Sequence, residues 1–240
     1  MNVKCLAVSF AIAAVMPASG ICGELSFESS MMSKYVWRGV VVSGEPVMQP
    51  TVSAGYGKLS FNVWGNINLS DGQNYDVNLN EVDYTVDYAA VSGPVGISVG
   101  GIYYTFPNTG VGATTELFAS LSIPSILNPS VTIYQDIQEA EGTYLSLGIA
   151  PSVPINAWNS SLDLALCLGF GSGRHNEFYY GAKGGALTDF FLGLSMPFSL
   201  SANTSLVPGI AFVNLLDSEI RGAQSSDDNL VVGLTFTAAF

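Results

Sequence analysis

Activating a serine takes a base, and the chain's one histidine, His175, stands in "GSGRHNEF". Ser172, Ser161 and Ser160 precede it, and a serine within reach of a histidine is the arrangement that generates an acyl-transfer nucleophile. The residues around His175 are charged or carry amides, as in a solvated loop, so a lipid-modifying enzyme is the weakest reading. No glycine-rich phosphate loop, CxxC pair or metal-ligand cluster stands elsewhere in the chain. No catalytic residue, cofactor or metal is expected.

The charged residues suggest a different chemistry. Lys+Arg number 7 against 19 Asp+Glu, a net charge of -12, which disfavours nucleic acid as a partner. One of these few cations, Arg38, interrupts the β-prone run "SKYVWRGVVVSGEP". Glu81, Asp83 and Asp87 share one face of "EVDYTVDYA", and Asp163 lies in "SLDLALCLGFG". Lining a low-dielectric channel unpaired, such carboxylates would favour cations. Neutralised by Lys34, Arg38 and Lys58, they would form a structural plug instead. Arg38 is expected at the lumen or its rim, with Asp83 and Asp87 as first candidate partners, because an arginine at the lipid midplane costs about 2–4 kcal/mol. The acidic loops lack calcium-ligand spacing, so a solvated surface is preferred there over divalent-cation binding.

The elements that would position these groups are strands. Charged residues make up 11% of the chain, against roughly 25% in ordinary soluble domains. Mean hydropathy is +0.38, yet no apolar run after the first residues is long enough for a membrane helix. Period-two alternation recurs instead: Leu162, Leu164, Leu166, Leu168 and Phe170 oppose Ser161, Asp163, Ala165, Cys167 and Gly169. This pattern predicts strands near 24–38, 47–56, 58–69, 79–90, 95–106, 113–122, 130–137, 142–150, 160–171, 187–196, 204–214 and 229–240. Alternate connections differ in kind. Gly57, "SGP", "PSILNP", "PSVPINAWN" and "PFSLSAN" lack acids, whereas the other set carries Glu45, Asp71, Asp76, Glu139, Glu141, Glu177, Asp217, Glu219, Asp227 and Asp228. Short turns at one end and long acidic loops at the other describe an all-β, single antiparallel transmembrane barrel of about 12 strands, with both termini periplasmic. Aromatics near strand ends, from Tyr56, Tyr75, Tyr103, Tyr104 and Phe106 to Trp158, Phe178, Tyr179, Tyr180, Phe190 and Phe191, are candidates for interfacial girdles.

Residues 1–20 have a lysine, an apolar stretch, Pro17 and small residues, the layout of a signal peptide cleaved after Gly20 or Gly23. Residues 24–240 are then the barrel domain. Cleavage after Gly20 removes Cys5 and leaves Cys22 and Cys167, expected to be unpaired; Ile21 before Cys22 argues against lipidation. The final strand, "NLVVGLTFTAAF", ends on Phe240 and is similar to the carboxy-terminal signal read by the barrel-assembly machinery.

Residues 29–69 carry a more specific likeness. Ser33, Tyr35, Val36, Arg38 and Gly39 are followed by Ser43, Pro46 and Gln49, then Tyr56, Gly57, Trp64, Gly65 and Asn66. This order resembles the start of the TorF-type porins of Gram-negative bacteria, with one residue fewer between Ser43 and Pro46. The resemblance implies an outer-membrane β-barrel and a pore; it supplies no substrate and no catalytic site. The expected role is passive passage of small solutes through the outer membrane, with cation preference as a corollary of the acids. A closed barrel with a structural or adhesive surface role is the alternative. The expected partners are outer-membrane lipid, the assembly machinery and small solutes.

Overall fold

The computed structural model describes residues 24–70 and 77–240. The leader with its cleavage site, Cys5, Cys22, Asp71, Tyr75 and Asp76 lie outside them. The barrel strands are β1 (Glu24–Met32), β2 (Val47–Tyr56), β3 (Leu59–Asn68), β4 (Asn78–Val91), β5 (Gly96–Thr105), β6 (Thr114–Ser122), β7 (Ser130–Asp136), β8 (Thr143–Ile149), β9 (Ser160–Gly171), β10 (Ala186–Ser195), β11 (Thr204–Leu215) and β12 (Asp228–Ala239). Each pairs antiparallel with its chain neighbours, and β1 pairs with β12 from Ser26↔Ala239 to Met32↔Gly233, closing the ring. Closure leaves no sheet edge, which is what lets a β-structure satisfy its backbone in lipid.

Alternation decides which side chains meet the outside. Along β12, Leu230, Val232, Leu234 and Phe236 are exposed while Asn229, Val231 and Thr235 are buried. Along β4, Leu79, Tyr84, Val86 and Tyr88 are exposed while Glu81, Thr85 and Asp87 are buried. The polar face therefore points inward and the apolar face outward, the inverse of a soluble protein and the signature of a barrel wall bathed in lipid. Exposed leucines, valines and aromatics recur around the ring in the same phase.

The longest connections gather at one end. There residues 33–46 link β1 to β2, helix α1 (Gly173–Tyr180) lies between β9 and β10, and α2 (Ser218–Ala223) lies between β11 and β12. At the other end Gly57–Lys58 joins β2 to β3 in two residues, and residues 92–95 join β4 to β5.

The first strand is shorter than its alternation suggests. It ends at Met32, and Tyr35–Trp37 pairs with Val40–Ser43 as a separate hairpin rather than continuing the wall. Arg38 (φ 47) and Gly39 (φ 85) are its two turn residues, both left-handed, which matches the twist of a tight hairpin. Val36 and Trp37 are buried in succession, which a strand with one wet face does not do. The hairpin therefore sits inside the barrel, where it packs with Met32, Val47, Trp64, Ala211, Val213 and Val231.

Candidate functional site

At the tip of that hairpin Arg38 meets the opposite wall. Its Nη1 and Nη2 donate to Oε1 and Oε2 of Glu116 on β6, each at 2.7 Å, a two-pronged ion pair with side-chain exposures of 0% and 1%. Tyr104 on β5 donates its hydroxyl to the same carboxylate at 2.9 Å. The guanidinium carbon lies 4.1 Å from the ring centre of Tyr144 on β8, 4.9 Å from Tyr134 on β7 and 4.3 Å from its own neighbour Trp37. A planar cation thus finds a carboxylate in its plane and π-faces around it, which is how guanidinium is best held away from water.

Helix α1 closes the arrangement from above. Ser172 caps it, its hydroxyl oxygen accepting from the backbone N–H of His175 at 3.5 Å and of Thr143 at 2.9 Å. Arg38 Nη1 donates to His175 Nε2 at 3.3 Å, which leaves the proton on Nδ1, directed at Asn176 Oδ1 at 3.3 Å. Asn176 in turn donates to the carbonyls of Gly171 and Gly184 at 3.1 and 2.9 Å. His175 stacks on Tyr144 at 5.2 Å, and burial, then the adjacent guanidinium, push its pKa down to about 3. A side chain at Gly171 would collide with Asn176, so β9 stays bare where the helix descends. Tyr180 donates to the Arg38 carbonyl at 2.7 Å, and Trp37 packs on Tyr179 at 4.8 Å between ring centres. On β10, Asp189 accepts from Tyr144 at 2.9 Å and from Thr188 at 2.7 Å. Leu215, Ile220 and Tyr180 complete the layer from β11, α2 and α1. Hairpin and helix together bridge β1, β11 and β12 to β5–β8 near the long-loop end.

These contacts revise several expectations. Arg38 pairs with Glu116, not with Asp83 or Asp87. Asp87 is buried and accepts from Ser98 at 3.2 Å; Glu81 is buried opposite Asn66; Asp83 lies between Trp64 and Tyr104 in the ladder. Lys34 donates to Asn229 at 3.2 Å, and Lys58, in the short turn, donates to the Ala90 carbonyl at 3.1 Å; among the described residues neither forms an ion pair with an inner acid. Asp163 accepts from Ser152 near the short-turn end. Phe240 is exposed, its N–H bonded to the Leu25 carbonyl at 2.9 Å beside β1. Cys167 is disulfide-bonded rather than free. Tyr56, Tyr103, Trp158 and Phe178 are exposed as girdle residues would be, but Tyr104 and Tyr180 belong to the buried layer and Phe106, Tyr179 and Phe191 pack against it.

His175 is buried on a helix, not solvated in a loop, and both ring nitrogens are engaged with Arg38 and Asn176. The Ser172 hydroxyl oxygen caps the helix, and Ser160 donates to the Pro197 carbonyl at 2.7 Å. These are not the contacts of a serine nucleophile and its base.

Neither a family model nor a curated protein matches the chain. Among solved structures it is similar to the NanC porin, with a TM-score of 0.56 at 12% identity over 89% of this chain and 98% of that one. An outer membrane channel of Pseudomonas putida F1 (COG4313) aligns over 91% and 94% of the two chains at 10% identity, with a TM-score of 0.47. At 12% identity the likeness to the NanC porin is one of fold, and it agrees with what the closed ring and its apolar outer face define on their own. The chain is a transmembrane β-barrel of the outer membrane.

Proposed function

We propose that the protein is an outer-membrane porin for passive passage of small solutes, cation-preferring, and held closed at rest by its first loop. The observation that carries this reading is the imbalance of charge on the interior face. Glu28, Glu81, Asp83, Asp87 and Asp163 point inward by alternation, and the interior arginine is already engaged by Glu116. An acidic interior with low-dielectric walls concentrates cations. Nearer the short turns the wall carries small hydroxyl and amide groups, such as Ser53, Asn62, Ser205 and Thr237, which are half-buried and suit a hydrated lining. Both termini are then periplasmic, and the long acidic loops face outward. The order of residues 29–69 supports membership of the TorF-type porins.

Planar-bilayer recordings across a potassium chloride gradient test this reading. The expected reversal potential lies toward that of potassium; one at or beyond zero on the chloride side would overturn the preference. The second reading, a closed barrel with a surface role, draws on the completeness of the packed layer. It is favoured if verified insertions stay sealed even after the layer is loosened.

A further inference from the structure

The groups that hold Arg38 belong almost entirely to the wall and not to the hairpin. Glu116, Tyr104, Tyr134 and Tyr144 come from four consecutive barrel strands, and His175 comes from α1. The hairpin supplies the cation and one ring, Trp37. Consecutive strands of a hydrogen-bonded wall keep their spacing whether or not a loop lies against them. The carboxylate and aromatic faces are therefore arranged for a guanidinium independently of the chain that delivers it. The delivery itself is strained: Arg38 is a non-glycine residue held in the left-handed region.

We infer that this wall is a binding subsite for guanidino cations, which Arg38 occupies as a tethered surrogate while the barrel is closed. Withdrawal of the hairpin frees a carboxylate with two acceptors, the Tyr104 hydroxyl, two π-faces and the unprotonated Nε2 of His175. That set fits a planar cation with several N–H donors and fits a compact ammonium less well, because an ammonium cannot take both carboxylate oxygens in one plane. Solutes with a guanidino group would then compete with Arg38 for the site, so substrate and gate share one recognition surface. The subsite rests on the porin reading only for the route by which a solute reaches it.

The test replaces the surrogate with a free one. Arg38→Ala protein, folded in detergent and checked by heat-modifiable gel migration, is titrated with millimolar methylguanidinium or methylammonium while its thermal midpoint is followed. Methylguanidinium is expected to raise the midpoint saturably and to bind at least about tenfold more tightly than methylammonium, the discrimination of a charge-assisted pair of hydrogen bonds. In the Arg38→Ala/Glu116→Gln protein that difference is expected to vanish. Equal response to the two cations, or equal binding with and without the Glu116 carboxylate, would overturn the subsite. If Arg38→Ala refolds poorly, the yield of heat-modifiable protein in each cation becomes the readout, and no gain specific to methylguanidinium is equally contrary. Bilayer recordings of the same variant separate the two claims. Binding in a sealed barrel keeps the subsite and removes the porin, whereas conduction without guanidinium discrimination does the reverse.

Discussion

The two halves of the lumen are built on the same twelve strands and differ in what fills them. Toward the short turns the wall pairs small groups with one another: Ser53 with Asn62 at 2.8 Å, Ser120 with Thr132 at 2.9 Å, Ser205 with Thr237 at 2.6 Å. Each of these side chains is paired with a neighbour on the next strand. Toward the long loops the inward groups are large or ionised, and loop residues join the wall's own pairs: Arg38 donates to Glu116 beside Tyr104, and Asn176 donates to the Gly171 carbonyl, while Tyr144 and Asp189 pair within the wall. Pairs between neighbouring strands stay on the wall, whereas the hairpin and α1 bring their groups inward.

The largest way to break that contrast is to orphan the imported charge. Arg38→Ala leaves the Glu116 carboxylate buried without its cation and is expected to cost about 3–5 kcal/mol, read as a lower midpoint of heat-modifiability. Adding Glu116→Gln should recover part of the loss, since the two side chains form one coupled unit. Next comes the hairpin tip. A side chain at Gly39 would collide with Leu215 and approach Asp189 Cβ to 3.3 Å, on a residue with φ of 85°. Gly39→Ala is expected to cost about 1–2 kcal/mol from the left-handed backbone and about 1–3 kcal/mol from overpacking. Loss of protection of the hairpin amides in hydrogen exchange would report it.

A smaller effect separates the halves by pH. The His175 pKa is lowered from 6.5 to about 3 in the fold, so the unfolded chain binds a proton there first. The stability that comes from keeping this imidazole neutral is fully present above pH 6.5 and is lost as pH falls toward 3. Acid should therefore loosen α1 and the hairpin, seen as faster exchange at Tyr35–Ser43, and His175→Gln should flatten that dependence. The smallest change is expected in the other half. Asn62→Ala removes one half-buried hydrogen bond and should cost about 0.5–1.5 kcal/mol, with the hairpin's exchange unaltered.

Much of the wall was legible in the alternation, because a barrel strand must repeat every two residues to keep one face in lipid. The strand predicted over 160–171 is β9, with the same bounds, and most other ends agree within one residue. What failed is instructive. The run 24–38 reads as one strand because Tyr35, Val36 and Trp37 are β-prone, and the turn that ends it is Arg-Gly rather than Asn-Gly. The break was visible at Ser33–Lys34, where the inward phase set by Ser26, Glu28, Ser30 and Met32 is lost. Glu116 carries little signal because it stands alone in "TTELFASLS", although its phase with Thr114, Phe118 and Ser120 places it inward. Asp83 and Asp87 stand out as a group, but proximity in sequence says nothing about which wall a loop will cross to. Helix α1 was signalled only by its ends, a serine N-cap at Ser172 and a glycine after Tyr180.

The central claim is that the first loop closes this barrel through the pairing of Arg38 with Glu116. Single-channel recording of the wild-type protein beside Arg38→Ala/Glu116→Gln, each verified as inserted and heat-modifiable, tests it most directly. The account predicts a wild-type barrel that is closed for most of the record and a double variant with long, cation-selective openings. Equal conductance in the two proteins, whether both open or both sealed, would contradict it.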